Sequence, residues 1–64
     1  MTEKEMEQEQ YINSMRIRSI EAQAGRVPPF SEEFDNLMER SLRLQERNRE
    51  LFRQLLELKQ EKDN

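Results

Sequence analysis

The sequence contains no cysteine and no histidine, and it has a single glycine. Without cysteine there is no disulfide and no thiolate metal site. Without histidine the commonest general base and the commonest metal ligand are missing. One glycine cannot build a glycine-rich loop that cradles phosphates. We therefore expect no enzyme activity, no bound metal and no cofactor.

Apolar residues are also scarce. Of the 64 residues, 33% are apolar and 39% are charged, and the net charge is −3. So short a chain is usually stabilised by disulfides, a metal or oligomerisation, and here only oligomerisation remains. No apolar run approaches the roughly 18 residues of a membrane span. The acidic N-terminus is unlike a signal peptide. We expect a soluble, cytoplasmic protein that does not bind membranes.

Local signals predict a single all-α domain made of a helical hairpin. Thr2 and Glu5 have the spacing of a capping box, which starts a helix. Gly25 stands where a helix commonly ends, and Pro28 disfavours helix in the residue before it. Ser31 is a good cap for a second helix. The predicted segments are a helix over about 2–24, a proline-containing loop over 25–30 and a long helix over about 31–61.

The second helix repeats core-type positions that are alternately three and four residues apart. These positions are Phe34, Leu37, Ser41, Leu44, Asn48, Leu51, Leu55 and Leu58. Leucine at every d position favours two-stranded packing, and an asparagine at one central a position fixes the register. We expect this set to form a homodimer interface, either parallel or antiparallel. Asn48 either hydrogen-bonds across that interface or lies on a solvated edge of it.

Over residues 34–62 these heptads resemble a leucine zipper, a motif that marks a mode of association rather than one family. DNA-binding zipper proteins also carry a continuous basic helix just before the zipper. In this chain residues 27–33 hold two prolines and two glutamates, so that place is neither helical nor basic. The resemblance implies paired helices without the DNA-binding region.

The apolar face of the second helix is wider than a zipper requires. The extra apolar residues, at b and e positions, are Met38, Leu42, Phe52 and Leu56. A two-stranded coil needs only the a and d positions, so this additional band needs another cover. We expect the first helix to fold back over it, and two chains to pair into a four-helix bundle with a projecting coiled-coil end.

The charge pattern favours an antiparallel hairpin. In that arrangement the acidic N-terminus faces the arginines of residues 47–53, and Arg16 and Arg18 face Asp35 and Glu39. Each exposed pair contributes about 0–1 kcal/mol, so the charges select a direction more than they add stability.

The first helix carries two apolar stripes. Met6, Ile17, Ile20 and Ala24 share one side, and Tyr11, Ile12, Met15 and Ala22 share nearly the opposite side. We expect Ile17 and Ile20 to belong to the core. Tyrosine is enriched at interfaces, so we expect Tyr11, Ile12, Met15 and Arg18 to contact a larger protein partner. The alternative is that the dimer buries both stripes.

These features predict a small dimeric regulator, inhibitor or adaptor of another protein. One alternative is a dimeric nucleic-acid-binding regulator that uses Arg40, Arg43, Arg47, Arg49 and Arg53, although the net negative charge makes nucleic acid an unfavoured partner. Another is a structural subunit of a larger helical assembly. We interpret the segment 27–30 as a rigid turn in which Val27 and Phe30 close one end of the core, and otherwise as a recognition loop.

Overall fold

The computed structural model describes the backbone of residues 1–63 and the side chains of residues 1–61. Two helices account for nearly all of it: α1 spans Glu3–Ala24 and α2 spans Glu32–Asp63. They pack against each other as an antiparallel hairpin, and the described residues contain no strand. The prediction of an all-α helical hairpin is thus confirmed. Neither helix in the described part of the chain is long and apolar enough to cross a membrane.

The N-terminus of α1 is held by reciprocal hydrogen bonds. The Glu5 backbone N–H donates to the Thr2 hydroxyl oxygen at 3.1 Å, and the Thr2 backbone N–H donates to the Glu5 carboxylate at 3.1 Å. The hydrogen bond from the Thr2 backbone lowers the pKa of the Glu5 carboxyl below its ordinary value. These bonds satisfy backbone donors that the first helical turn leaves without partners.

The connector reverses the chain through a turn over residues 28–31, and its two central residues are Pro29 and Phe30. The Ser31 backbone N–H donates to the Pro28 carbonyl at 3.3 Å, and Phe30 has a φ of 62°. A proline at the second turn position and a positive φ at the third are the features of a type II turn. Ser31 then caps α2, because its hydroxyl accepts from the Phe34 backbone N–H at 3.1 Å.

One expectation about this connector is wrong and one is met. The first helix ends at Ala24 with Gly25 as its cap, as expected, although Gly25 has φ −70° rather than the left-handed conformation that glycine often adopts there. Val27 does pack against the core, but Phe30 is 92% exposed. The positive φ of Phe30 at the tip of the turn directs its ring away from the two helices, so it cannot close the core.

The core has two apolar ends. At the open end of the hairpin, Met6 of α1 packs with Leu51 and Leu55 of α2. At the connector end, Ile20 and Ala24 pack with Leu37. Leu51 is fully buried and Met6 is 2% exposed. Full burial of such side chains contributes about 1.5–3 kcal/mol each, so these contacts hold the helices together.

Candidate protein-binding surfaces

The predicted dimer interface is occupied by α1 of the same chain. We call this set the inner seam of α2: Phe34, Leu37, Ser41, Leu44, Asn48, Leu51, Leu55 and Leu58. Every one of its side chains is buried or half-buried in the single hairpin. Contact of these residues with a second chain stays a prediction.

The expectation that α1 covers the extra apolar band is wrong for three of its four residues. Met38 is half-buried and packs against the connector end of the core. Leu42, Phe52 and Leu56 are 54%, 58% and 44% exposed, so α1 does not cover them. The reason is that α1 has its own matching stripe, formed by Met6, Gln10, Asn13, Ile17, Ile20 and Ala24, which are alternately four and three residues apart. Such a stripe packs best against the most apolar line of residues on the facing helix that has the same spacing, and on α2 this line is the inner seam.

A polar layer separates the two apolar ends of the core. The Asn13 side-chain amide donates to the Asn48 carbonyl Oδ1 at 3.0 Å. The Gln10 side-chain amide donates to the Asn48 backbone carbonyl at 3.3 Å, and the Asn48 amide donates back to the Gln10 backbone carbonyl at 3.4 Å. Asn13 is only 4% exposed. Asn48 therefore finds its hydrogen-bond partners within its own chain.

Sequence reasoning missed Asn13 and Gln10 because they are polar. Their signal was their spacing, since both fall in line with Met6, Ile17 and Ile20 on the stripe that faces α2. An asparagine at the middle of each of two apolar stripes indicates a buried amide pair. Such a pair fixes the alignment of two helices, because sliding either helix leaves an amide without a partner.

One flank of the hairpin carries an ion pair between the helices. The Arg47 Nε lies 2.6 Å from a Glu9 carboxylate oxygen, and its Nη2 donates to the other oxygen at 3.3 Å. This bidentate contact lowers the pKa of the Glu9 carboxyl and raises that of the Arg47 guanidinium. The pairing agrees with the expected contact between the acidic N-terminus and the basic segment of α2.

The other expected charge contact is replaced by a local one. Glu39 accepts from the Arg43 guanidinium at 2.7 Å on its own helix. Arg16 instead lines an open groove of about 420 Å³ between the helices, together with Arg40 and Arg43. Ile20 and Leu44 also line this groove. Its chemistry would suit the carboxylate of an acidic side chain on an aliphatic stem.

The five arginines of the nucleic-acid alternative do not share one face. At about 100° per residue, Arg40, Arg43 and Arg47 lie on one side of α2, and Arg49 and Arg53 lie on a side about 130° away. Arg47 is paired with Glu9 and is within 3.8 Å of Glu50, so part of its charge is neutralised within the fold. The arrangement does not provide a continuous basic track.

The residues predicted to meet a partner lie on the face of α1 that points away from α2. Tyr11 is 68% exposed, and Ile12 and Met15 are each 48% exposed. Arg18 is exposed on the same side of the helix. Tyr11 and Ile12 line a shallow depression with Lys4, Glu7 and Gln8. We call Tyr11, Ile12, Met15 and Arg18 the back face of α1.

Comparison with known proteins gives no relative: no protein family, no curated protein and no solved structure is significantly similar to this chain. Among the described residues, no group of three or more acidic side chains converges as a metal site would require. The surfaces described above are therefore the basis for any assignment of function.

Proposed function

We propose that this chain is a dimeric helical module that binds a larger protein and acts as its regulator, inhibitor or adaptor. The observation that carries the proposal is the back face of α1, where Tyr11, Ile12 and Met15 remain exposed although the hairpin is formed. Contiguous exposed apolar side chains on so small a body are typical of an interaction site.

The composition of the back face suits a protein partner. Tyrosine and methionine provide apolar contact area, the tyrosine hydroxyl adds a hydrogen bond, and methionine adapts to irregular surfaces. Arg18 adds a charged edge of the kind that surrounds the apolar centre of many interfaces. Nucleic acid has less support as a partner, because the arginines of α2 are divided between two sides and partly paired with glutamates.

Pairing of two chains is the second part of the proposal. A hairpin of two helices encloses only a narrow core, and oligomerisation is the means of stabilisation that this composition leaves. Apolar residues remain exposed on α2 as well as on α1, so one face is available for a second copy while the other is available for a partner.

A photo-reactive residue at position 11 tests the partner-binding face. Cross-linking in the native cell, followed by mass spectrometry, gives the protein that touches this position. The affinity of that partner protein is then measured for the wild-type chain and for the variant Tyr11→Ala with Arg18→Glu. We expect the variant to bind the partner at least tenfold more weakly than the wild type does, with unchanged helicity by circular dichroism.

A matched control removes the same chemistry from another exposed place. Phe30 is 92% exposed in the connector, and Arg26 of the same connector is also exposed. The variant Phe30→Ala with Arg26→Glu therefore also removes an aromatic ring and reverses an arginine. It should bind the partner as the wild type does. Equal binding by the variant of the back face would contradict the proposal.

A further inference from the structure

The exposed apolar residues of α2 belong to a second repeat with regular spacing. We call this set the outer stripe of α2: Asp35, Met38, Leu42, Gln45, Arg49, Phe52, Leu56 and Lys59. Its members are alternately three and four residues apart, as in the inner seam. At about 100° per residue, the outer stripe lies about 100° around α2 from the inner seam. In the hairpin Leu42 and Phe52 are each more than half exposed. Met38 and Gln45 are half-buried, and Met38 also packs against the connector end of the core.

The outer stripe has the same order of residue types when it is read from either of its two ends. Read from either end toward the middle, it has a charged residue, two apolar residues and a polar or charged residue. The charged residues at the two ends, Asp35 and Lys59, have opposite signs. A stripe of this kind is complementary to itself when it is reversed.

We infer that the outer stripe binds the outer stripe of a second copy in an antiparallel arrangement, with the two-fold axis at the level of Arg47. The pairs between the two copies are then Asp35 with Lys59, Met38 with Leu56, Leu42 with Phe52 and Gln45 with Arg49, each formed twice. Apolar residues meet apolar residues, Gln45 can accept from Arg49, and the ends are ion pairs.

Other alignments give worse contacts. A parallel pair would place Arg49 against Arg49 and Lys59 against Lys59, and like charges in contact are destabilising. Shifting the antiparallel pair by one heptad places Arg49 opposite Met38 or Phe52, which leaves a guanidinium on an apolar contact. The charges therefore select both the direction and the register.

The placement of the two repeats on α2 agrees with a four-helix bundle. The inner seam holds α1 on one side, and the outer stripe would hold the second α2 at nearly a right angle to it. A helix with neighbours on two such faces sits at the corner of a square, as in four-helix bundles. This inference rests on the dimer part of the proposed function, and it leaves α1 in place and its back face free.

Cysteine cross-linking tests the register directly, because the natural chain has no cysteine. A Leu42→Cys chain mixed with a Phe52→Cys chain should form a disulfide-linked dimer on mild oxidation. Either variant alone should not, because equivalent positions on the two copies would lie about 15 Å apart, beyond the roughly 7 Å that a disulfide spans. Both sites are exposed in the hairpin, so neither change removes a core contact.

Light scattering supplies the second measurement. The wild-type chain should have about twice its 7.9 kDa mass. Leu42→Glu with Phe52→Glu should return it to the monomer mass with unchanged helicity. The control Tyr11→Glu with Met15→Glu, which adds the same charges on the back face of α1, should remain dimeric.

Each contrary result points to a different failure. Cross-linking by the single variants would show a parallel pair and overturn the inference. A dimer mass without cross-linking of the mixture would show that another face pairs, which also overturns it but leaves the dimer itself. A monomer mass at every concentration would contradict both the inference and the dimer part of the proposed function, while binding through the back face of α1 would stand.

Discussion

The inner seam and the outer stripe of α2 have the same spacing, yet α1 covers one and leaves most of the other exposed. The inner seam has six apolar residues of eight and no charged residue, whereas the outer stripe has four apolar and three charged residues. Leu51 in the inner seam is fully buried, whereas Leu56 in the outer stripe is 44% exposed. The connector keeps α1 at a high effective concentration beside α2. Packing then decides between the two lines, because the inner seam is the more apolar of them and matches the stripe of α1. Heptad spacing thus indicates that helices pair but does not indicate which helices.

Truncating one leucine in each repeat gives the largest expected contrast. Leu51→Ala should lower the free energy of unfolding by about 2–5 kcal/mol, because it leaves a cavity between α1 and α2. This is a large share of the stability of a small domain, and the loss should appear at every protein concentration. Chemical denaturation followed by circular dichroism measures it.

The matched variant is Leu56→Ala, which removes the same atoms from the outer stripe. In dilute solution it should change the unfolding free energy little, and a loss should emerge only at concentrations where the chains pair. Equal losses for the two variants in dilute solution would show that α1 does not distinguish the two repeats.

The buried amide pair provides the next contrast. Asn48→Leu should lower the free energy of unfolding by about 1–3 kcal/mol, because Asn13 then keeps a buried amide without its partner. Changing both Asn13 and Asn48 to leucine should restore most of that loss, since two apolar groups can pack where two amides did. A double-mutant cycle from denaturation curves gives the coupling energy.

The opposite outcome would show that Asn48 has the role of the core asparagine in a leucine zipper. If Asn48→Leu alone raises stability and promotes higher oligomers, the asparagine is at the interface of a dimer rather than paired with Asn13. Hydrogen exchange adds a second check on the doubly substituted chain, which should lose protection if the helices slide between alignments.

Much of the fold could be predicted from local sequence. The Thr2 capping box, the Ser31 cap and the connector prolines are short-range signals, so the helical hairpin followed from them. The partner of each stripe could not be predicted in the same way, because that depends on which of two faces of α2 with the same spacing packs better against α1. The inner position of Asn13 was missed because an isolated asparagine on a helix usually faces solvent.

The candidate site, like the fold, could be predicted from the sequence only in part. Spacing and residue type were enough to single out Tyr11, Ile12 and Met15, and they lie exposed together on the back face. The tip position of Phe30 depends on its positive φ, which residue type does not predict, since that conformation usually belongs to glycine or asparagine.

The smallest expected effect concerns the ion pair between Glu9 and Arg47. This pair joins α1 to α2, so it bears on why α1 covers the inner seam. Hydrogen bonding from Arg47 lowers the pKa of the Glu9 carboxyl in the folded chain. A carboxyl with a lowered folded-state pKa stabilises the fold fully above its unfolded pKa, which for a glutamate is near 4.5. That stabilisation is lost as the pH falls through the lower, folded value.

Glu9→Gln should therefore lower the melting temperature slightly at neutral pH and reduce the further loss of stability between neutral and acidic pH. The matched variant Glu57→Gln removes an exposed carboxylate of α2 and should lower the neutral-pH melting temperature less. Thermal unfolding by circular dichroism from pH 7 to pH 3 measures both, and added salt should narrow the difference because the pair is partly exposed. Identical curves for Glu9→Gln and the wild type would mean that the charges on this flank do not contribute to holding α1 on the inner seam, leaving the buried amides and the two apolar ends of the core as the source of its preference.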